Sequence, residues 1–228
     1  MTKLTKIIRE GVYDPAIFKA VFLSGGPGSG KSFVQKFTTQ GLGLKLVNSD
    51  KAFEKYMKDA GLSLRMPPEE NDERMKAFGK GKELTRNIRN TYLEGRLGMV
   101  LDGTGRNVAK IQSRKLDLES VGYDTYMVFV NTSLEIALER NEMRERKVPE
   151  NVVKRIWQSV QDNIPIYRDM FGSDSFFVIE NNDVVDYPSN NPLFVDIYKK
   201  MKNIVRVPPK NPIAKRWVAN ELKKKDNT

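Results

Sequence analysis

Apolar residues in this chain come in short runs, each followed by a stretch in which they recur at helical spacing. Five runs read as strands: Ala20–Leu23, Leu44–Val47, Met99–Leu101, Thr125–Val130 and Ser175–Ile179. Thr125–Val130 is the most β-prone, mixing aromatic and β-branched residues. Between the runs, the pattern predicts helices at Phe33–Phe37, Ala52–Ala60, Lys82–Leu97, Val108–Val121, Asn151–Ile164 and Leu193–Val205. The long one places Leu84, Ile88, Tyr92 and Leu97 on a buried stripe, and Gly98 ends it. Asn107 reads as an N-cap and Gly122 as a left-handed stop. Thr132-Ser133-Leu134-Glu135 has the form of a capping box opening a further helix. A loop is expected around Met66–Glu70, and residues 1–19 have no clear pattern. Strands alternating with helices predict an α/β fold, a parallel sheet of about five strands covered on both faces. Ligands of such sheets bind beyond the carboxyl ends of the strands. Three polar clusters stand at those ends, Gly25–Ser32, Asn48–Asp50 and Asp102–Arg106, and the topology requires them to converge.

The first cluster, GGPGSGKS, fits G-x-x-x-x-G-K-[ST] with Gly25, Gly30, Lys31 and Ser32 in the specified places. A strand precedes it and a helix follows, the context that separates a phosphate-binding loop from an accidental glycine turn. Glycines let successive N–H groups turn inward as an anion nest, and the helix opening at Lys31 adds unpaired N–H groups. Gly26, Pro27, Gly28, Ser29, Gly30, Lys31, Ser32 and Phe33 are therefore the expected ATP-binding residues. Lys31 can reach the outer phosphates, and the Ser32 hydroxyl can ligate Mg²⁺. The fold class sharpens to a P-loop NTPase-type sheet.

Composition narrows the chemistry. The 228 residues contain neither Cys nor His, so any general base is a carboxylate and any metal site is built from oxygen, which suits Mg²⁺. The leading MTKLTKIIREGVYDP lacks the apolar core of a signal peptide and no run reaches transmembrane length, so the expectation is a cytoplasmic chain with no membrane partner. The net charge is +10, half of it in Arg206–Thr228, a segment of seven basic and two acidic residues set off by Pro208, Pro209 and Pro212. A basic balance favours phosphorylated or polyanionic partners, so nucleic acid could bind through this tail. The expected organisation is one domain over residues 1–205 and a flexible basic tail over 206–228, whose removal would leave an enzyme active. Nothing in the sequence sets an oligomeric state.

Asp50 follows the second strand and should face the terminal phosphate, where it could take the proton of an attacking hydroxyl. It could equally cap the next helix; the phosphate loop one strand earlier favours the base. Asp102 ends a three-residue apolar strand, the form of a carboxylate that holds Mg²⁺, and its DGTG surroundings also suit a tight turn. The phosphatase pattern D-x-D-G-T does not apply, because its first aspartate would be Val100. Thr104 and Arg106 would then point at the acceptor, Arg106 as a bidentate phosphate ligand. Arg140 and Arg144 are one helical turn apart, and the charge pattern alone explains them as surface partners of Glu139, Glu142 and Glu145.

ALERNEMRERKVPENVVKRI resembles the lid of phage-type polynucleotide 5′-hydroxyl kinases. MVLDGTGRN with GYDTYMVFV resembles the zeta-toxin family of P-loop kinases, which phosphorylate a sugar hydroxyl of UDP-activated amino sugars. The resemblance spans roughly residues 20–165. It implies an ATP- and Mg²⁺-dependent kinase acting on a hydroxyl of a nucleic-acid 5′ end, a nucleotide or a nucleotide sugar. It implies Asp50 as base, Arg140 and Arg144 as arginines of a helical lid at about 140–150, and Asp102, Thr104 and Arg106 on the acceptor or metal side. Three features depart from it. Phe53 stands where polynucleotide kinases carry an arginine, Asp102 stands where the zeta-type loop has Glu, and no stretch resembles a fused phosphatase. The alternative is a nucleotide-dependent nucleic-acid-binding ATPase with no acceptor hydroxyl. A GTPase is disfavoured, since N-K-x-D is absent.

Overall fold

The five apolar runs become five parallel strands, β1 (Lys19–Ser24), β2 (Lys45–Val47), β3 (Met99–Asp102), β4 (Asp124–Asn131) and β5 (Phe176–Glu180). The structure, a computed structural model, describes residues 11–39, 41–65, 67–144, 147–182 and 192–226. Of the expected features, residues 1–10, Met66 in the loop, and Glu145 and Arg146 in the lid lie outside them. The strand order is β2-β3-β1-β4-β5. β1 is therefore central, and its glycine loop emerges between the ends of β3 and β4.

Alternate residues of β1 feed two cores, as a strand covered on both faces requires. Ala20 and Phe22 join Met99, Leu101, Met127, Phe129, Tyr167 and Phe171 on one face. Val21 and Leu23 join Val34, Val100, Val128, Ile179, Phe194 and Met201 on the other. The helices α1 (Lys31–Thr38) and α7 (Pro192–Arg206) cover the second face, while α4 (Val108–Ser120) and α6 (Glu150–Phe171) cover the first. α6 runs past its expected end at Ile164 and through Pro165, because Tyr167 and Phe171 beyond the proline are buried in the core. Asn107 caps α4 as expected, accepting from the Lys110 N–H at 2.9 Å.

α2 (Ser49–Asp59) and α3 (Asn71–Glu94) form an annex with a small core of Phe53, Met57, Leu62 and Ala77. α3 begins eleven residues before the predicted Lys82. Gly81 lies inside the helix where α2 comes close: a Cβ there would stand 2.9 Å from the Phe53 nitrogen. Its expected stripe of Leu84, Ile88, Tyr92 and Leu97 is only half-buried. α5 (Leu134–Glu142) is capped by Ser133 and not by Thr132, whose hydroxyl is drawn to the Asn181 carbonyl at 3.2 Å.

The basic segment also differs from expectation. Residues Pro212–Asp226 form α8, which docks at the amino ends of the strands. Ala214 is fully buried and Trp217 packs edge-on against Phe18 with ring centroids 5.6 Å apart. The Asp124 carboxylate accepts from the Lys210 and Asn211 N–H groups as well as from the buried Lys19 ammonium. Among the described residues no helix is long and apolar enough to cross a membrane.

Candidate active site

The glycine loop bridges Ser24 of β1 and Lys31 of α1 with left-handed backbone at Gly28 (φ 75°) and Gly30 (φ 83°). Side chains are excluded there by space as well as by φ. A Cβ on Gly28 would overlap the Ala137 carbonyl, and one on Gly30 would overlap the Asn181 amide. The α1 N-terminus has no side-chain cap, and with the Phe33 and Val34 N–H groups donating to the Gly30 carbonyl it offers those of Lys31 and Ser32 to an anion. Lys31 folds back along the loop, donating to the carbonyls of Gly25 (2.7 Å) and Gly26 (3.0 Å). Burial lowers its pKa; Asp102 and Asp50 oppose the shift and Arg144 adds to it. The groups named from sequence thus lie within electrostatic reach of one ammonium.

Asp102 ends β3 in register with Leu23 of β1. One carboxylate oxygen, Oδ2, accepts from the Asn48 side-chain amide at 2.5 Å; the other, Oδ1, is buried with no hydrogen-bond partner. Burial raises its pKa above the ordinary value, while Lys31 pulls it back and Asp50 pushes it further up. Asn48 also caps α2, accepting from the N–H groups of Asp50 (2.8 Å) and Lys51 (3.1 Å). The capping alternative for Asp50 is thereby filled by another residue. Asp50 stands in the exposed first turn of α2, and its charge acts on both Lys31 and Asp102.

The loop after Asp102 is held by its backbone. Gly103 N–H donates to Leu23, Gly25 N–H donates to Thr104, and the Tyr167 hydroxyl and Asn163 amide donate to the Gly105 carbonyl. Thr104 is half-buried; Arg106 is exposed, and its charge acts on Lys110.

The two expected lid arginines separate. Arg140, in the last turn of α5, donates to the Asn181 carbonyl (2.7 Å), and the Asn181 amide donates to the Ser29 carbonyl (2.8 Å). Arg140 is tied to the glycine loop through this asparagine. Arg144 lies beyond the helix end, so the shared helical face does not form. The helix stops where buried Asn141 turns its side chain to Val148, bonding both its carbonyl (2.7 Å) and its N–H (3.0 Å). That clamp closes the base of the segment carrying Arg144. Arg144 is exposed and, with Lys147, faces Ser63–Arg65 across an opening of about 790 Å³.

A second cavity of about 300 Å³ lies on the other side of Asp102, between α3 and α4. Lys82, Arg86, Arg89, Lys110 and Arg114 line it; Thr104 and Arg106 are not in its walls. Sequence reasoning did not single out these five cations, nor Asn181. The cations are spread over two helices and read locally as solvated faces, and no local signal marks Asn181.

The donor set fits a nucleotide with Mg²⁺. The cradle excludes Cβ atoms, and the orphaned Asp102 oxygen belongs to a carboxylate within the field of Lys31, the ammonium that would face the phosphates. Among the described residues no group of three or more carboxylates gathers, so the protein would supply only part of an Mg²⁺ shell, as is usual when phosphates and waters complete it.

Residues 21–164 match the family model described as AAA domain. The fold is shared with a chain of the PezAT chromosomal toxin–antitoxin system of Streptococcus pneumoniae, at TM-score 0.55 and 14% identity over 96% of this chain and 88% of that one. Shikimate kinase from Bacteroides thetaiotaomicron matches at 0.49 and 16% identity, over 83% of this chain and 99% of its own. A gluconokinase from Sinorhizobium meliloti 1021 matches at 0.46 and 13% identity, over 91% and 98%. No curated protein sequence matches the chain.

Proposed function

The chain belongs to the AAA domain family, and from that premise we propose that it is an ATP- and Mg²⁺-dependent kinase that phosphorylates a hydroxyl. The acceptor is a nucleic-acid 5′ end, a nucleotide or a nucleotide sugar. The observation that carries this reading is the grouping of Asp50, Asp102 and Arg144 within the field of Lys31 at the carboxyl ends of β1, β2 and β3. A nucleotide switch needs the cradle and a metal-holding aspartate such as Asp102, but has no acceptor proton for Asp50 to take.

The loop amides and Lys31 hold the phosphates, Lys31 leaving the Gly25 and Gly26 carbonyls to do so. Ser32 and Asp102 would hold Mg²⁺, which when bound neutralises charge on the phosphate oxygens. Asp50 takes the proton of the acceptor hydroxyl as its oxygen bonds to the γ-phosphorus and the bond to the bridging oxygen of ADP breaks. Arg144 closes over the equatorial oxygens, while Arg140 stays bound to Asn181 and steadies the glycine loop. Closure of the segment above the Asn141–Val148 clamp would exclude water and limit hydrolysis.

The test is transfer from γ-labelled ATP to a 5′-hydroxyl oligonucleotide and, separately, to UDP-N-acetylglucosamine. Label should appear on one of them. Asp50→Ala should keep ATP affinity and lose about 10²–10⁴ in transfer rate, the span of a general base. Label released only as inorganic phosphate, with the same rate in the variant, would remove the kinase assignment.

A further inference from the structure

The cavity beside Asp102 gathers more positive charge than moving a phosphoryl group requires. Lys82, Arg86 and Arg89 enter from α3, Lys110 and Arg114 from α4, and Asp102 is the one carboxylate in the walls. Elsewhere the helices neutralise such lysines within a turn, as in Lys55–Asp59, Lys115–Glu119 and Lys200–Asp196. None of the five forms an ion pair with a carboxylate among the described residues. The Arg89 Nε is buried without a hydrogen-bond partner. Arg114 titrates below its ordinary value because of its own burial and then the charge of Arg89. Lys110 is lowered by Arg114, then by burial, Lys82 and Arg106.

Lys82, Arg86 and Lys110 are exposed and Arg89 and Arg114 half-buried, so the cost of unpaired charge falls mainly on the two guanidinium groups, which also repel each other. An anion between them removes both penalties. With Asp102 in the wall, a single carboxylate would leave three of the five charges unbalanced, whereas a phosphate of two charges would leave two and brings three acceptor oxygens to the guanidinium forks.

Resting on the kinase reading, we propose that the α3–α4 cavity is the seat of a phosphate group of the acceptor, held there by Arg89 and Arg114. The cavity shares Asp102 with the transfer site, so a phosphate there fixes the acceptor at one end while its hydroxyl faces Asp50.

Inorganic phosphate is the probe, titrated calorimetrically at low salt into protein saturated with Mg²⁺ and the β,γ-imido analogue of ATP, so that the γ-position is filled. One phosphate should bind, and Arg114→Met or Arg89→Met should weaken it by about tenfold or more. Affinity for the ATP analogue should be unchanged in both variants, which shows that they fold. Acetate, the carboxylate probe, should bind at least about tenfold more weakly than phosphate. No phosphate binding, binding untouched by both substitutions, or acetate bound as tightly would each overturn the inference. The titration needs no turnover, so a chain that only hydrolyses ATP fails the transfer assay and not this one. Conversely, transfer to an alcohol without phosphate binding would sink this inference and leave the kinase standing.

Discussion

Asp102 is where the charges of the site oppose one another most directly. Burial holds its pKa above the ordinary 3.8 and Lys31 draws it down, with burial the larger effect. A carboxylic acid raised on folding binds its proton more tightly folded than unfolded. Its stabilisation is therefore complete below the ordinary value and is lost as pH rises through the folded one. Asp102→Asn has no such proton to lose. Without nucleotide or Mg²⁺, the melting temperature of the variant relative to wild type should climb as pH rises above the ordinary carboxylate value of 3.8. A difference that stays flat as pH rises would mean that Asp102 ionises as it does in the unfolded chain. Arg144 and Arg140 should part company in the same kind of experiment. Arg144 is exposed past the end of α5, so Arg144→Ala should cost turnover, by roughly 10³ if it covers the transferring group, with no shift in melting temperature. Arg140→Ala should lower both ATP affinity and stability, because the guanidinium holds the asparagine that holds Ser29.

At the scale of elements, the glycine loop depends on α5 as much as on its own sequence. Gly28 is left-handed and its missing Cβ faces the Ala137 carbonyl, so Gly28→Ala must both strain the backbone and push α5 away. Calorimetry should show ADP binding lost and the melting temperature lowered; an alanine variant that binds ADP normally would mean the loop and α5 are not in contact. What was legible beforehand follows from the same division between local and distant causes. The strands, the loop and the Asn107 cap each carry their signal within a few residues, and all five strands stand where the apolar runs place them. The convergence of Asn48–Asp50 with Asp102 was legible too, because parallel topology alone puts strand ends side by side. The start of α3 was not, since Gly79 and Gly81 are poor helix formers, and it is Gly81 that lets α2 and α3 meet here. Nor was the cation cluster, whose members are up to 32 positions apart, from Lys82 to Arg114, and meet only through the packing of α3 and α4 around β3.

For the whole molecule, α8 turns what reads as a charged tail into part of the fold. It sits at the amino ends of the strands, where Lys19 opens β1 and Asp124 opens β4, opposite the carboxyl ends that carry the site. Trp217 lies between the Phe18 ring and the Arg96 guanidinium, 4.6 Å from its ring centroid, and both Phe18 and Arg96 have positive φ. Removing residues 206–228 would therefore expose Phe18 and take two N–H donors from Asp124, so loss of activity on truncation could not be read as loss of a nucleic-acid contact. Trp217→Ala isolates the packing. Full burial of such a ring is worth about 3–5 kcal/mol, and Trp217 is partly exposed, so a loss of about 2 kcal/mol is expected. For a chain of this size that is a fall of roughly 4–8 °C in melting temperature. Phosphoryl transfer well below the transition should be unaffected, because the sheet stands between α8 and the glycine loop. A variant that melts like wild type would mean that α8 is held by its polar contacts alone. One that melts normally yet transfers slowly would mean that the two ends of the sheet are coupled.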